Sequence, residues 1–395
     1  MEIFTGKEYL EIAVANHAGF DKKTWHERIQ WVEEHNNELE QIAFSSADEP
    51  AEMLGAIQAL RKAETNISTG FPVGLDATCS VLQLMSCLTN DRAAMKCCNV
   101  IGTGKREDAY RIVYDRLKEE PEIDKDLKRD DVKQAIMTSC YGSSAKPKEI
   151  FGENNVGIFE DVMSQLFPRV WKLNKIMLQK WNSQATEYNW VLPDNFHAKV
   201  EVFRERSISF KFNKQIKYLS IKEKGSVLRG RSLGANMIHS VDAFLMRELI
   251  RRTNYDPQVK ERFLRIKEHD LIENENTRMV QLLIELYHQS GFLSQRIIDY
   301  VRPYNISLLE PEMKEILYKR FAPKPFQMLT IHDCFRVHAN YCNELRKQYI
   351  ELLAEITESN LLNFLCNQII GFEPKFMKIH GLADTIRKTS NYALS

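Results

Sequence analysis

Residues 129–143 read RDDVKQAIMTSCYGS, and this stretch decides how the rest of the chain is interpreted. Two acids near its start suit a helix N-terminus, where the macrodipole favours negative charge, and Gly142 suits a C-terminal cap. Arg129 and Lys133 are four residues apart, so they share one helix face and can hold an anion together. Tyr141 follows about two turns later on broadly the same side. The alternative is a solvated amphipathic helix with a glycine stop.

The composition is that of a globular protein with balanced charge. The 395 residues suffice for two or three domains, and 44% of them are apolar. Because 54 basic residues offset 54 acidic ones, a nucleic-acid-binding surface must come from local segregation of charge. The eight cysteines form no C-x-x-C pair, which predicts neither zinc nor disulfides. With no signal-peptide pattern and no membrane-spanning apolar run, we expect a soluble intracellular protein without a membrane partner.

The strongest positive segment lies between Lys199 and Arg231, with ten Lys or Arg against three Glu. Alternating apolar and polar residues in 207–212 and 216–221, with a polar turn between them, predict a β-hairpin. A basic two-stranded ribbon has the width to enter a DNA groove, and the alternative is an ordinary solvated hairpin. The predicted nucleic-acid-binding residues are Arg204, Arg206, Lys211, Lys214, Lys217, Lys222, Lys224, Arg229 and Arg231.

Two aspartates occupy similar positions, each at a point where a predicted strand meets a turn. Asp76 ends an apolar, Gly/Pro-punctuated segment, and Asp333 lies at the tip of a strand–turn–strand element at 326–337. Buried carboxylates are costly unless they are paired or bind a metal. Phosphoryl transfer uses two divalent ions about 4 Å apart, and Mg²⁺ accepts few carboxylates together with water and phosphate oxygens. Each aspartate alone suits a turn, but both together with residues 129–143 predict a nucleotidyl-transfer site with two Mg²⁺ ions.

These motifs, in this order, resemble the phage-type single-subunit RNA polymerases, the family that includes mitochondrial RNA polymerase. Residues 75–83 resemble the first catalytic-Asp motif, residues 129–143 the finger helix, and residues 331–335 the second catalytic-Asp hairpin. Residues 236–242 match a His-Ser-x-Asp element, and residues 15–29 resemble the polymerase domain upstream of the first Asp. The resemblance covers most of the chain.

The resemblance implies a mostly helical α+β fold, with the palm and fingers of a right-hand polymerase and an antiparallel palm sheet. We expect the start of palm and fingers in 1–100, and the fingers with the basic hairpin in 101–235. The palm with the second Asp is expected in 236–395, interrupted by a helical insertion at about 255–320. A thumb and an N-terminal domain are not expected in this chain.

The resemblance also implies which residues bind metal and assist the chemistry. Asp76, the backbone carbonyl of Ala77 and Asp333 would hold the two Mg²⁺ ions. Lys133 would assist the leaving pyrophosphate, and His332 would support the site beside Asp333.

Nucleotide binding is the second set of roles that the resemblance implies. Arg129 and Lys133 would hold the triphosphate, with Gly142 close to the nucleotide. Tyr141, with His239 as its partner, would distinguish ribose from deoxyribose. The basic hairpin would be laid into promoter DNA.

The expected function is that of a catalytic subunit of a DNA-directed RNA polymerase, which transfers nucleotides from NTPs to an RNA 3′-hydroxyl on a DNA template. Only 75 residues precede Asp76, so we expect a second subunit to supply the thumb and N-terminal domain, in the cytoplasm of an infected bacterium. Val81 departs from a usual glycine, and Glu11 stands at the position of a phosphate-binding lysine. The alternatives are a family-A-like DNA polymerase fragment and an inactive nucleic-acid-binding scaffold.

Overall fold

The computed structural model describes residues 1–395, and helices account for most of the ordered backbone. No helix combines the length and the apolar composition needed to cross a membrane. The helices are α1 (Gly6–Ala15), α2 (Trp25–Glu34), α3 (Leu39–Ser45), α4 (Pro50–Glu64), α5 (Ser80–Thr89), α6 (Arg92–Cys97), α7 (Ala109–Lys118), α8 (Arg129–Cys140), α9 (Ala145–Leu166), α10 (Pro168–Gln179), α11 (Ser232–Thr253), α12 (Pro257–Arg265), α13 (Glu275–Ser290), α14 (Pro311–Lys319), α15 (Cys342–Glu358), α16 (Leu361–Ile370) and α17 (Leu382–Thr389).

The strands form three small antiparallel sheets, so the fold is mixed α+β and mostly helical, as expected. One sheet has the strand order β1-β7-β6, and the other two are the pairs β2-β3 and β4-β5. The strands are β1 (Pro72–Asp76), β2 (Glu187–Val191), β3 (His197–Glu201), β4 (Phe203–Phe212), β5 (Gln215–Lys224), β6 (Leu329–Ile331) and β7 (Cys334–His338).

The three-stranded sheet joins two segments that are far apart in sequence. Val73 and Leu75 of β1 pair with Val337 and Phe335 of β7, and all four side chains are buried in the main hydrophobic core. Side chains alternate between the two faces of a strand. The residues between these four, such as Gly74 and Arg336, therefore lie on the other face of the sheet, which lines the cleft described below. Burial of this apolar face fixes the register, and the register determines what lies opposite Asp76.

Helix α8 forms where the sequence predicts it, and its two ends have identifiable causes. The Asp131 side chain accepts a hydrogen bond from the backbone N–H of Lys128 at 3.1 Å and so caps the first turn. Val132 and Ile136 are buried against the core. The helix ends before Gly142, whose φ of +80° suits glycine, and a Cβ there would lie 2.5 Å from the carbonyl oxygen of Arg231.

Residues between α11 and β6 build a second, smaller hydrophobic core. Its 13 buried members all lie between Phe263 and Phe321. Buried ion pairs connect this region to the main core. Nη2 of Arg252 lies 2.6 Å from Oε2 of Glu355, and Nη2 of Arg320 lies 2.9 Å from the same oxygen. Buried pairs of this kind are costly to break from one side, so the small core is held firmly against α15.

Two helix-rich regions are divided by turns. Between residues 105 and 128 the structure forms the single helix α7, because Asp108 caps its start and its last backbone bonds run into turns before Pro121. The helical insertion expected at about 255–320 contains the three helices α12, α13 and α14, with short 3₁₀ turns between α13 and α14.

Candidate active site

A cleft of about 620 Å³ lies between the end of β1, the β6–β7 turn and one face of α8. It brings together Asp76 and Asp333, which are 257 positions apart in sequence. The predicted site residues that line this cleft are Asp76, Ala77, Arg129, Lys133, Tyr141 and Asp333.

The two acids are held on neighbouring backbone segments. Asp76 lies opposite Cys334 in the β1–β7 register, and the next backbone N–H, that of Ala77, donates to the carbonyl oxygen of Asp333 at 3.0 Å. Asp333 occupies a two-residue turn with His332, which has a φ of +55°. A left-handed φ on a residue other than glycine is strained and is typical of functional sites. Asp333, the second residue of this turn, lines the cleft.

Two carboxyl groups in this region, those of Asp76 and Asp242, have a raised pKa. Although Asp76 opens onto the cleft, the cleft walls displace much of the water around it, and this desolvation raises its pKa; the charge of Asp333 adds to the effect. Burial raises the pKa of Asp242, on α11, to about 6, and the negative charge of Asp333 contributes to this increase. Negative charge is therefore concentrated at this end of the cleft, where a cation would be stabilised.

The donors present fit a hard divalent cation. Asp76 and Asp333 supply carboxylate oxygens, and the backbone of Ala77 lies between them. The structure shows no cluster of three or more His, Cys, Asp or Glu side chains arranged to hold a metal. Two carboxylates are enough for Mg²⁺, which completes its shell with carbonyl, water and substrate phosphate oxygens.

The cations of α8 face the same cleft, with two partners that sequence reasoning missed. The Arg129 guanidinium binds the Asp108 carboxylate, with N–O distances of 2.8 Å from Nε and 2.6 Å from Nη2. The Tyr110 ring lies 5.4 Å from the Arg129 guanidinium and 5.8 Å from the Lys133 ammonium. Lys133 is exposed and makes no ion pair with the protein. The i,i+4 pair therefore presents positive charge to the cleft that the two aspartates also line.

Tyr141 and His239 meet beside this face. Their rings stack with centroids 4.8 Å apart and an interplanar angle of 22°. Tyr141 is half-buried, and this burial raises the pKa of its hydroxyl to about 12, so it is a neutral hydrogen-bond donor at physiological pH. A neutral hydroxyl on a ring that is stacked against His239 is suited to forming a hydrogen bond with a substrate hydroxyl. That role stays a prediction.

The basic hairpin exists, but its cations do not lie on one face. The β4–β5 register places Lys211, Lys222 and Lys224 on one face and Arg204, Arg206 and Lys217 on the other. Several of the nine predicted nucleic-acid-binding side chains bind carboxylates of the protein itself: Arg204 and Arg206 bind Glu223, while Lys224 binds Glu187 and Glu201. Lys211, Lys214, Lys217 and Lys222 make no ion pair within the chain and carry the free positive charge of the ribbon.

Arg229 and Arg231 lie beyond the hairpin, although we expected them to add to its charge. The Trp181 indole donates to the Val227 carbonyl at 3.0 Å and packs against Gly230, which draws this segment back onto the body of the protein. Both arginines line a second cavity of about 470 Å³ next to the end of α8. Tertiary packing of a tryptophan, rather than charge, determines their position.

Glu11 and Val81, the two residues that depart from the family pattern, are both buried. Glu11 is buried, and the Lys7 ammonium lies 3.1 Å from its carboxylate. Burial raises the pKa of Glu11. A carboxyl group, protonated or not, lacks the positive charge of a phosphate-binding lysine. Val81 is almost fully buried and lines the cleft near Asp76.

The last residues of the chain also line the cleft, which sequence reasoning missed. Leu394 forms a β-bridge with Ala77, and the backbone N–H of Asp76 donates to the carbonyl of Ser395 at 3.3 Å. The Arg106 Nε donates to the Ser395 hydroxyl at 3.3 Å. These contacts join positions more than 280 residues apart, and no local sequence signal indicates them.

A family model described as DNA-dependent RNA polymerase matches residues 4–254, which is more than half of the chain. The chain belongs to the DNA-dependent RNA polymerase family. It is also 22% identical, over 347 residues, to a protein from Neurospora crassa named probable DNA-directed RNA polymerase. That alignment covers 85% of this chain and 38% of the relative, so the chain spans less than half of the relative's length.

The matched region of this polymerase-family chain contains Asp76, Arg129, Lys133, Tyr141 and His239. Asp333 lies outside the match, beyond the small second core. The fold, rather than the match, brings Asp333 beside Asp76, because β7 pairs with β1.

Proposed function

We propose that this polymerase-family chain is the catalytic subunit of a DNA-directed RNA polymerase, which transfers nucleotides from NTPs to an RNA 3′-hydroxyl. One observation carries the proposal: a single cleft is lined by Asp76 and Asp333 together with Arg129, Lys133 and Tyr141. This arrangement can hold divalent cations at one side and a triphosphate at the other. Few other reactions need both charges so placed.

The roles proposed for the site follow from its geometry. Asp76 and Asp333, with the Ala77 carbonyl, would hold two Mg²⁺ ions, which lower the pKa of the attacking hydroxyl and stabilise the leaving pyrophosphate when bound. Arg129 and Lys133 would bind the triphosphate, and Lys133 has a proton to supply to the leaving group. His332, whose φ is +55°, would support the turn that carries Asp333.

Selection of ribose is proposed for the stacked pair of Tyr141 and His239. A buried hydroxyl that pairs with a substrate hydroxyl discriminates strongly against an analogue that lacks it, because its own hydrogen bond is then lost. Gly142 lets the chain turn directly after Tyr141. The matching prediction is a preference for rNTPs over dNTPs.

We also propose a right-hand palm and fingers, and a second subunit that supplies the thumb and N-terminal parts. The chain resembles the large subunit of the heterodimeric RNA polymerase II of N-four-like bacteriophages, which would place it in an infected bacterial cell. The free lysines of the β4–β5 ribbon would contact DNA.

The test is RNA synthesis by the chain alone and by the chain copurified with its partner from its source. With a DNA template, NTPs and Mg²⁺, we expect efficient incorporation by the assembly and little by the chain alone. Strong preference for dNTPs would favour a DNA polymerase, and robust elongation by the isolated chain would exclude the need for a partner. Absence of nucleotide incorporation by the assembly, with either sugar, would indicate a scaffold.

A further inference from the structure

Asp108 directly precedes α7, and its side chain contacts both α7 and α8. Each of its two carboxylate oxygens accepts a different set of hydrogen bonds. Oδ1 accepts hydrogen bonds from the backbone N–H groups of Tyr110 at 3.1 Å and Arg111 at 3.2 Å, so it caps α7. Oδ2 accepts from Nε and Nη2 of Arg129. Because the cap anchors one oxygen, the carboxylate cannot turn away from Arg129 without breaking the start of α7.

The Arg129 guanidinium is consequently held on two sides. Asp108 occupies the edge formed by Nε and Nη2, and the Tyr110 ring lies against the group at 5.4 Å. The Nη1 amino group has a single contact, with the exposed Asp130 at 3.4 Å. A guanidinium has five N–H donors, so the Nη1 edge keeps donors available for an anion. Arg129, Asp108, Tyr110 and Lys133 all line the cleft that contains the two aspartates.

The capping role also limits how far Asp108 neutralises Arg129. A carboxylate at a helix N-terminus shares its negative charge with the N–H groups and the positive end of the helix dipole. Arg129 therefore keeps more of its attraction for an anion than it would beside a free carboxylate. Holding a long side chain before its ligand arrives removes the entropy cost of ordering it, which corresponds to about 2- to 10-fold in affinity for one side chain.

We propose that Asp108 is a positioning residue that sets the Arg129 guanidinium for the triphosphate of an incoming nucleotide. The identity of the ligand rests on the function proposed above. In the opposite case, Asp108 would compete with the triphosphate for Arg129, and removing the Asp108 charge would strengthen anion binding instead of weakening it. Direct measurement of anion binding distinguishes the positioning role from this competition.

The experiment measures binding of inorganic tripolyphosphate to the full chain by calorimetry, without metal and at low salt, and KM and kcat for NTPs with the assembled enzyme. Asp108→Asn keeps a side chain that caps helices well but removes the charged acceptor. We expect tripolyphosphate affinity to fall about 3- to 10-fold and KM to rise by a similar factor. The change in kcat should stay within about 2-fold, and thermal unfolding should be unchanged.

Two further variants make the result specific. Asp115→Asn removes an exposed carboxylate that pairs with Arg111 at 2.8 Å on the same helix, and it should change neither measurement. In an Arg129→Ala background, Asp108→Asn should have no additional effect, because a positioning residue acts only through the group it positions. A purely structural role would instead weaken binding equally in both backgrounds.

Tighter or unchanged tripolyphosphate binding by Asp108→Asn would overturn the proposal, as would a full effect in the Arg129→Ala background. The two proposals fail separately. If the assembly makes no RNA while Asp108→Asn weakens tripolyphosphate binding through Arg129, the proposed function fails and the positioning role stands. If the assembly makes RNA and Asp108→Asn changes neither binding nor KM, the positioning role fails alone.

Discussion

Replacing Asp242 with Asn is expected to stabilise the fold at neutral and alkaline pH. Asp242 is partly buried on α11, one turn from His239; burial first, and the charge of Asp333 second, raise its pKa from 3.8 to about 6, while His332 lowers it. The folded state therefore prefers the protonated carboxyl. The stability supplied by protonation is fully present below about pH 4 and is lost as the pH rises through about 6.

The size of the effect follows from the shift. The rise in the pKa of Asp242 from 3.8 to about 6 corresponds to at most about 3 kcal/mol of folding free energy lost at pH 8. Because the side chain is only partly buried, solvent screening reduces this to about 1–2 kcal/mol. Asn cannot ionise and has nearly the same shape, so Asp242→Asn should recover that amount at pH 8.

The assay is urea unfolding followed by circular dichroism at pH 8, 6 and 4. We expect the free energy of unfolding of Asp242→Asn to exceed that of the wild type by about 1–2 kcal/mol at pH 8. The gain should shrink at pH 6 and vanish at pH 4. The exposed Asp115→Asn is the control and should show no such trend. A variant that is no more stable than the wild type at pH 8 would refute the reasoning.

Three other substitutions test the remaining parts of the site. Tyr141→Phe should reduce the preference for rNTPs over dNTPs at least about 10-fold in kcat/KM, since it removes the hydroxyl beside His239; unchanged discrimination would contradict its role. His332→Val should destabilise the fold about 1–2 kcal/mol more than His332→Gly, measured by thermal unfolding, because only glycine relieves the φ of +55°. Gly142→Ala should lower the unfolding midpoint and RNA synthesis together, because its Cβ would lie 2.5 Å from the Arg231 carbonyl oxygen; wild-type stability would argue against that contact.

Features with local sequence signals could be predicted. The acids and the glycine that delimit α8 indicate its ends, and the apolar run before Asp333 indicates the hairpin at 329–338. The residues Asn213 and Lys214 both have positive φ, which is the geometry that a two-residue hairpin turn requires. In each case the signal lies within a few residues of the structure it predicts.

Features that depend on contacts between distant segments could not be predicted. Asp108 caps α7 and also binds Arg129, but a sequence shows only that an acid precedes a helical stretch. Leu394 pairs with Ala77 across most of the chain. The division of the hairpin cations between two faces follows from a register that only the paired strands define. Long-range pairing carries no periodicity that could reveal it.

The most direct test of the central claim is single-nucleotide addition by the assembled enzyme carrying Asp333→Asn. Asp333 shares the cleft with Asp76 and the α8 cations, and Asn keeps its size while it removes the charge that would hold a metal ion. The account predicts a loss of at least about 100-fold in the rate of NTP addition with Mg²⁺, and an unfolding midpoint no lower than that of the wild type. Addition at the wild-type rate would contradict it.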